Sequence, residues 1–164
     1  MLCHDARRGA RFSGSELVLL EHQDRSLWDV AQIAEGRAAL DRALTLSGRG
    51  AYVLQGAIAS LQIEEPIDWP QVAALYGELA RQTRSPVVEL NRAVAVAQTG
   101  SPQAALRIVD GLELEDYPYL HSTRGELLRR LGRAEEAHAA YRRALELTRN
   151  DPERRFLQRR LDES

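Results

Sequence analysis

Apolar residues recur along this chain at intervals of three and four, and no stretch sustains an interval of two. That period belongs to helices with one buried face. Val30, Ile33, Ala34, Ala38, Leu40 and Leu44 predict a first long helix. Ser26-Leu27-Trp28-Asp29 opens it as a capping box, with Ser26 as N-cap and Asp29 reaching back; Gly48 and Gly50 close it. A second helix runs from Ala51 through Leu54, Ile58 and Leu61 and ends by Pro66. Asp68-Trp69-Pro70-Gln71 opens a third, with Val72, Leu75, Tyr76 and Leu79 on one face. Ser85-Pro86 and Ser101-Pro102 each read as an N-cap followed by proline in the first turn, one before Val87, Leu90, Val94 and Ala97, the other before Ala105, Leu106 and Val109. Gly100 separates these two. Pro118 precedes a helix through Leu120, Leu127, Leu128 and Leu131, which Gly132 closes. Ala134 to Leu147 forms another, and Asp151-Pro152 starts a last one containing Phe156, Leu157 and Leu161. The run LVLL at 17–20 is the one strand-like stretch, short enough for a helical core segment. Arg7, Arg8 and Arg11 read as one face of a helix.

Helices of this length joined by short turns predict antiparallel hairpins, and the hairpins repeat. In HSTRGELLRRLGRAEEAHAAYRRALEL, Gly125 is small where two helices must touch. Leu128 is large, Gly132 sits at the turn, and Ala137, Tyr141 and Ala144 face back. Ala93, Val96, Gly100, Ala105, Val109 and Leu112 take corresponding places in the preceding hairpin, with 32 residues from Gly100 to Gly132. Tyr52, Gly56 and Ala59, then Val72, Tyr76 and Leu79, do so one hairpin earlier, with 33 residues from Tyr76 to Val109 and extra residues around Ile63 to Ile67. This pattern of small and large positions resembles the tetratricopeptide repeat. The resemblance implies an all-α fold, a right-handed superhelix of antiparallel helix hairpins. The expected layout is a single domain over 1–164: degenerate N-terminal helices over 1–48, about three repeats over 50–148, and a capping helix over 151–163. A single hairpin cannot bury its own apolar face, so neighbours stack and the end needs a polar cap. Phe156, Leu157 and Leu161 would cover the third repeat while Arg154, Arg155, Arg159 and Arg160 face water.

Charge narrows the functions open to such a fold. The formal net charge is −2, which supplies no general attraction to nucleic acid or to an anionic membrane. The last segment, Arg149 to Ser164, sets five arginines against four carboxylates and carries no aromatic stripe for stacking bases, so direct nucleic-acid binding is not expected. No apolar run approaches the ~20 residues that span a bilayer. Every basic residue is arginine, which reads as the codon bias of a GC-rich bacterial genome. Cys3 is the sole cysteine, so no intrachain disulfide can form, and a reducing cytoplasm fits.

Candidate chemistry is sparse. His4, His22, His121 and His138 pair with no cysteine or carboxylate at metal-ligand spacing, and no nucleophile, phosphate-binding or metalloprotease motif is present. Cys3-His4-Asp5 is the nearest approach to a reactive site. No catalytic role, cofactor or metal is expected. The polar stretch EHQDRSLWD, 21–29, has two readings: a capped loop with Trp28 in the core, or a contact surface presenting Asp24, Arg25 and Trp28. In stacked hairpins of the tetratricopeptide kind the first helices line the concave face. That face would carry Asn91 and Gln98, then Glu126, Arg129 and Arg130, with Asn91 placed to grip a partner's backbone and the arginines a carboxylate.

Taken in order, LCHDARRGARF, ELVLLEHQDRSLWD, DWPQVAALYGEL, SPVVELNRAVAVA, LLRRLGRAEEAHAAYRRALEL and ERRFLQRRL resemble the C-terminal extension of a group of bacterial extracytoplasmic-function sigma factors, members of the sigma-70 family. The resemblance implies a regulatory part of a transcription initiation factor, working by protein–protein contact. Its implied partners are the sigma-factor N-terminal domains, RNA polymerase core and a small YCII-like protein. A free-standing tetratricopeptide adaptor with a peptide in its groove is the alternative.

Overall fold

The computed structural model describes residues 2–14, 16–46 and 50–163. These residues build an all-α, tetratricopeptide-like fold whose only strands are a two-residue pair. The chain divides into two compact units, Met1–Thr83 and Arg84–Ser164.

The first unit begins with α1 (Leu2–Asp5) and a 3-10 turn over Arg8–Ala10. The strands β1 (Phe12–Ser13) and β2 (Glu16–Leu17) follow, then two more 3-10 turns, Leu20–His22 and Arg25–Leu27. Three helices complete it: α2 (Val30–Thr45), α3 (Ala51–Leu61) and α4 (Trp69–Thr83). α1 packs on α2 and α3, and α3 packs on both α2 and α4. Three expectations change here. The run LVLL is not α-helical: Leu17 pairs with Phe12 across the antiparallel ladder, the Val18 amide donates to the Arg11 carbonyl, and Leu20 opens a 3-10 turn. Backbone groups satisfied across a tight reversal need no helical partner. Arg7, Arg8 and Arg11 do not share a helix face, because the chain turns between them; Arg7 is buried and Arg8 is exposed on an ion pair with Asp5. The cap of α2 is Asp29, which accepts from the Gln32 amide at 2.9 Å, rather than Ser26. The Ser26 hydroxyl is engaged by Asp24, which caps the preceding 3-10 turn. Asp68 caps α4 as expected, accepting from the Gln71 amide at 2.9 Å. Gly48, expected to close α2, lies outside the described residues.

The second unit is two helix hairpins and a terminal helix: α5 (Pro86–Gln98) with α6 (Pro102–Asp110), α7 (Pro118–Arg130) with α8 (Ala134–Leu147), then α9 (Asp151–Asp162). Gly100 and Gly132 close the first helix of each hairpin at φ of 85° and 73°, backbone that a side chain would disfavour. Leu90, Ala93, Ala105, Leu106, Val109, Leu120, Leu127, Leu128, Ala137, Tyr141, Ala144 and Leu157 form one continuous core. The small and large positions read from the repeat therefore do what their sizes suggest. At Gly125 the helices approach so closely that an added Cβ would lie 2.7 Å from the Tyr141 ring. Leu157 is fully covered, with Phe156 and Leu161 packed beside it, so α9 is a cap. Arg160, expected to face water, instead lies 5.2 Å over the Phe156 ring.

Gly125→Ala is expected to destabilise the protein by about 1–3 kcal/mol, because Tyr141 cannot yield the space without leaving its place in the core. Thermal unfolding followed by circular dichroism would show a lowered midpoint.

Candidate functional site

The stretch 24–28 resolves into a structural staple. Trp28 is 7% exposed and belongs to a core cluster with Cys3, Ala10, Ala59 and Ile63. Arg25 stacks 4.7 Å over the Trp28 ring and reaches far along the chain, donating to the carbonyls of Ile63 and Glu64 at 3.1 Å each. Its Nε lies 3.4 Å from the Glu65 carboxylate. The extra residues of the α3–α4 connection are thus fastened to the segment before α2. Cation–π contact and two carbonyl bonds give Arg25 a role in holding the fold. Of the three residues, Asp24 alone is exposed, and its carboxylate is held below the usual range by the Ser26 hydroxyl and amide.

A second guanidinium, read from the sequence only as part of a helix face, also lies near the Trp28 ring. Arg7 is 6% exposed, 5.9 Å from the Trp28 ring, and donates to His4 Nδ1 at 2.8 Å. Burial, then the charge of Arg7, push the His4 imidazole down to about 4. The ring is neutral near pH 7, which leaves Nδ1 free to accept. Arg11 donates to the His4 carbonyl at 2.7 Å. Cys3, a candidate reactive thiol by sequence, is buried against α2, its Sγ beside Gly36.

The other candidates lie on one face of the second unit. On α5, Asn91 is exposed, Val94 is 39% exposed, and Gln98 follows a turn later. On α7, Tyr119, Thr123, Glu126, Arg129 and Arg130 recur at three and four and so share a stripe. The two stripes adjoin, because Arg130 reaches Gln98 Oε1 at 3.5 Å. Glu126 organises the face. Arg129 grips it through Nε and Nη2 at 3.1 and 2.7 Å, Arg130 donates Nε at 3.0 Å, and the Tyr141 hydroxyl donates at 3.0 Å. Burial alone would raise the Glu126 carboxyl; the guanidinium and hydroxyl donors outweigh it and hold the group at about 2. The arginines expected to receive a partner's carboxylate already share an internal one. The face retains a surplus guanidinium charge, fixed in position rather than mobile. Sequence reading missed Tyr119, 45% exposed, whose hydroxyl donates to Glu153 of α9 at 2.6 Å. Its place one turn before Thr123 on the same stripe was the available signal.

A shallow groove of about 340 Å³ opens elsewhere on the unit, between α6 and α8 and over α7. Leu106 and Leu128 floor it. Arg124–Asp110 and Arg133–Glu136 pairs at 2.7 and 2.6 Å neutralise its rim.

Two comparisons with known proteins bear on these surfaces. Residues 118–151 match the tetratricopeptide repeat, which marks α7, α8 and the start of α9 as a unit of the kind that binds other proteins. Residues 1–44 match a family of unknown function, DUF6596. The chain is also similar to an uncharacterized protein of Rhizobium meliloti (strain 1021), 43% identical over 169 aligned positions. That alignment covers 99% of this chain and 40% of the relative, so the chain spans less than half the length of the curated relative it matches. Among the described residues no helix is long and apolar enough to cross a membrane.

Glu126 makes stability depend on acid. Its carboxyl titrates at about 2 in the fold against an ordinary 4.5, so the stability it contributes is present above pH 4.5 and is lost as pH falls toward 2. Glu126→Gln should lower the unfolding midpoint at pH 7 and converge with the parent protein near pH 2, as measured by chemical denaturation across that range. Arg25→Ala should cost about 1–2 kcal/mol through the lost carbonyl bonds and ring contact. Faster hydrogen exchange at Ile63–Glu65 would accompany it; unchanged exchange there would contradict the staple.

Proposed function

We propose that the chain is the regulatory C-terminal extension of an extracytoplasmic-function sigma factor. It acts in transcription initiation by contact with the sigma domains, with RNA polymerase core or with a small YCII-like regulator. The ordered segments from LCHDARRGARF to ERRFLQRRL carry this reading. The match to DUF6596 over residues 1–44 overlaps the first two of them, and the matching Rhizobium meliloti protein has length to hold further domains. In this reading the domain is cytoplasmic and catalyses nothing; its chemistry is recognition, and promoter reading falls to other domains. The tetratricopeptide match over 118–151 supports the protein–protein part of the assignment.

A second reading is a free-standing adaptor that holds a peptide along the α5–α7 face. It is favoured by the exposed Asn91, Val94 and Tyr119 around the fixed guanidinium pair. An amide that bonds a peptide backbone in both directions, beside apolar contacts and a cation, is a workable grip on an extended chain.

Purified protein should capture at least one of the sigma domains, core polymerase or a YCII-like protein in a pull-down. Absence of binding to all three at high micromolar concentration would remove the first reading. If the α5–α7 face is the grip, Asn91→Ala should weaken capture about tenfold, the loss of one or two backbone hydrogen bonds, with the circular dichroism spectrum unchanged.

A further inference from the structure

The core of the first unit holds a guanidinium without a counter-charge. Arg7 is 6% exposed. Among the described residues no carboxylate stands in ion-pair contact with it. The acidic residues nearest to it in sequence are engaged elsewhere: Asp5 pairs with Arg8 at 2.6 Å, and Asp29 caps α2. The groups that most favour the Arg7 cation are the Cys3 thiol and the Tyr76 phenol. Burial pushes the Tyr76 phenol up, so it carries no charge near neutral pH. Arg11 and Arg25 both work against the Arg7 cation. A buried charge that stays unmatched is strongly destabilising.

The same place lacks acceptors. Arg7 Nε and Trp28 Nε1 are buried donors without a hydrogen-bond partner, and Trp28 is 7% exposed. The guanidinium carbon lies 5.9 Å from the Trp28 ring. One oxyanion bridges donors at that spacing, through two N–H···O bonds of about 2.9 Å and its own width. Gln23 Oε1 is also buried without a partner, but its amide is tied through Nε2 to the Val18 carbonyl at 3.2 Å. A neutral oxygen, from an amide or from water, would in any case leave the Arg7 charge unmatched. An oxygen acceptor with a negative charge meets both deficits. Burial limits its size, because side chains this well covered admit a group of a few atoms. Arg25 is committed to the Ile63 and Glu64 carbonyls, whereas half-buried Arg11 lies beside Arg7, donating to the carbonyl of the same His4 that Arg7 bonds through Nδ1.

We propose that Arg7 and Trp28 bind a small oxyanion, with Arg7 Nε and Trp28 Nε1 donating to it and Arg11 adding positive charge beside it. The site lies within the first unit. It is independent of the sigma-factor reading and of the α5–α7 face, so its failure leaves the pull-down and the Asn91→Ala result standing.

The chain has two tryptophans, and Trp69, half-exposed at the start of α4, is an internal control. The two indole N–H resonances, told apart with Trp69→Phe, are followed by NMR as inorganic phosphate or acetate is added to the whole chain. Sodium chloride at matched ionic strength is the reference. The Trp28 resonance is expected to move downfield and saturate, while Trp69 moves no more than it does in chloride. Saturation by phosphate marks a tetrahedral oxyanion as the ligand, and saturation by acetate alone marks a carboxylate; either supports the site. Arg7→Met places an apolar side chain where a buried cation was, a change that is often neutral or stabilising. That variant should bind the anion at least about tenfold more weakly. If it does not fold, the contrast between Trp28 and Trp69 in the parent chain still decides. A Trp28 resonance that ignores both anions, that follows chloride equally, or that saturates as readily in Arg7→Met would overturn the proposal.

Discussion

The second unit depends on the seat of Tyr141 over Gly125. The ring occupies the space a side chain at 125 would need, and so fixes how closely α7 and α8 lie. A tyrosine buried this deeply must satisfy its hydroxyl. The acceptor is Glu126, the residue after the glycine, carried to the right place by the same close approach. A half-buried carboxylate in turn needs donors, and Arg129 and Arg130 stand three and four residues on, which is where a helix puts neighbours on one face. One packing constraint therefore arranges the charged part of the candidate binding face. The arginines are held by Glu126, Glu126 by Tyr141, and Tyr141 by the absence of a Cβ.

The first unit is held by different means. Its cluster around Trp28 relies on guanidiniums that reach ring faces and backbone carbonyls, rather than on a seam of small residues alone. Polar residues that look available in the sequence are thereby used up. Arg25 fastens a loop nearly forty positions away, and His4 stays neutral so that it can accept from Arg7. Conspicuous polar residues here hold the fold.

Legibility from sequence followed the regularity of the local pattern. The helices from α3 onward, the cap at Asp68, the prolines that open α5 and α6, and the pairing of small with large positions were readable from the local pattern, though neither Ser85 nor Ser101 makes a side-chain cap bond. The N-terminal segment was not. Its LVLL run and its three arginines have a helical reading that a chain reversal overrides, and Ser26 is taken up by its near neighbour Asp24. The strand pairing of Leu17 with Phe12 and the burial of Arg7 against Trp28 each depend on a chain reversal that periodicity cannot report. Tyr52 is a further case: it fits the first large position of its repeat by spacing but is 89% exposed.

By itself, the sequence determined that this protein is helical and that its hairpins repeat. Helical period, capping and side-chain volume are local quantities, and they survive without coordinates. Tertiary structure decided which polar groups remain on offer. Arg25, Arg129 and Arg130 carry the same side chain and the same charge in the sequence. Their difference is geometric: one is bound to backbone carbonyls and a ring, and two converge on a single carboxylate. The free energy of a charged side chain depends on its neighbours and its burial, and only the fold sets those.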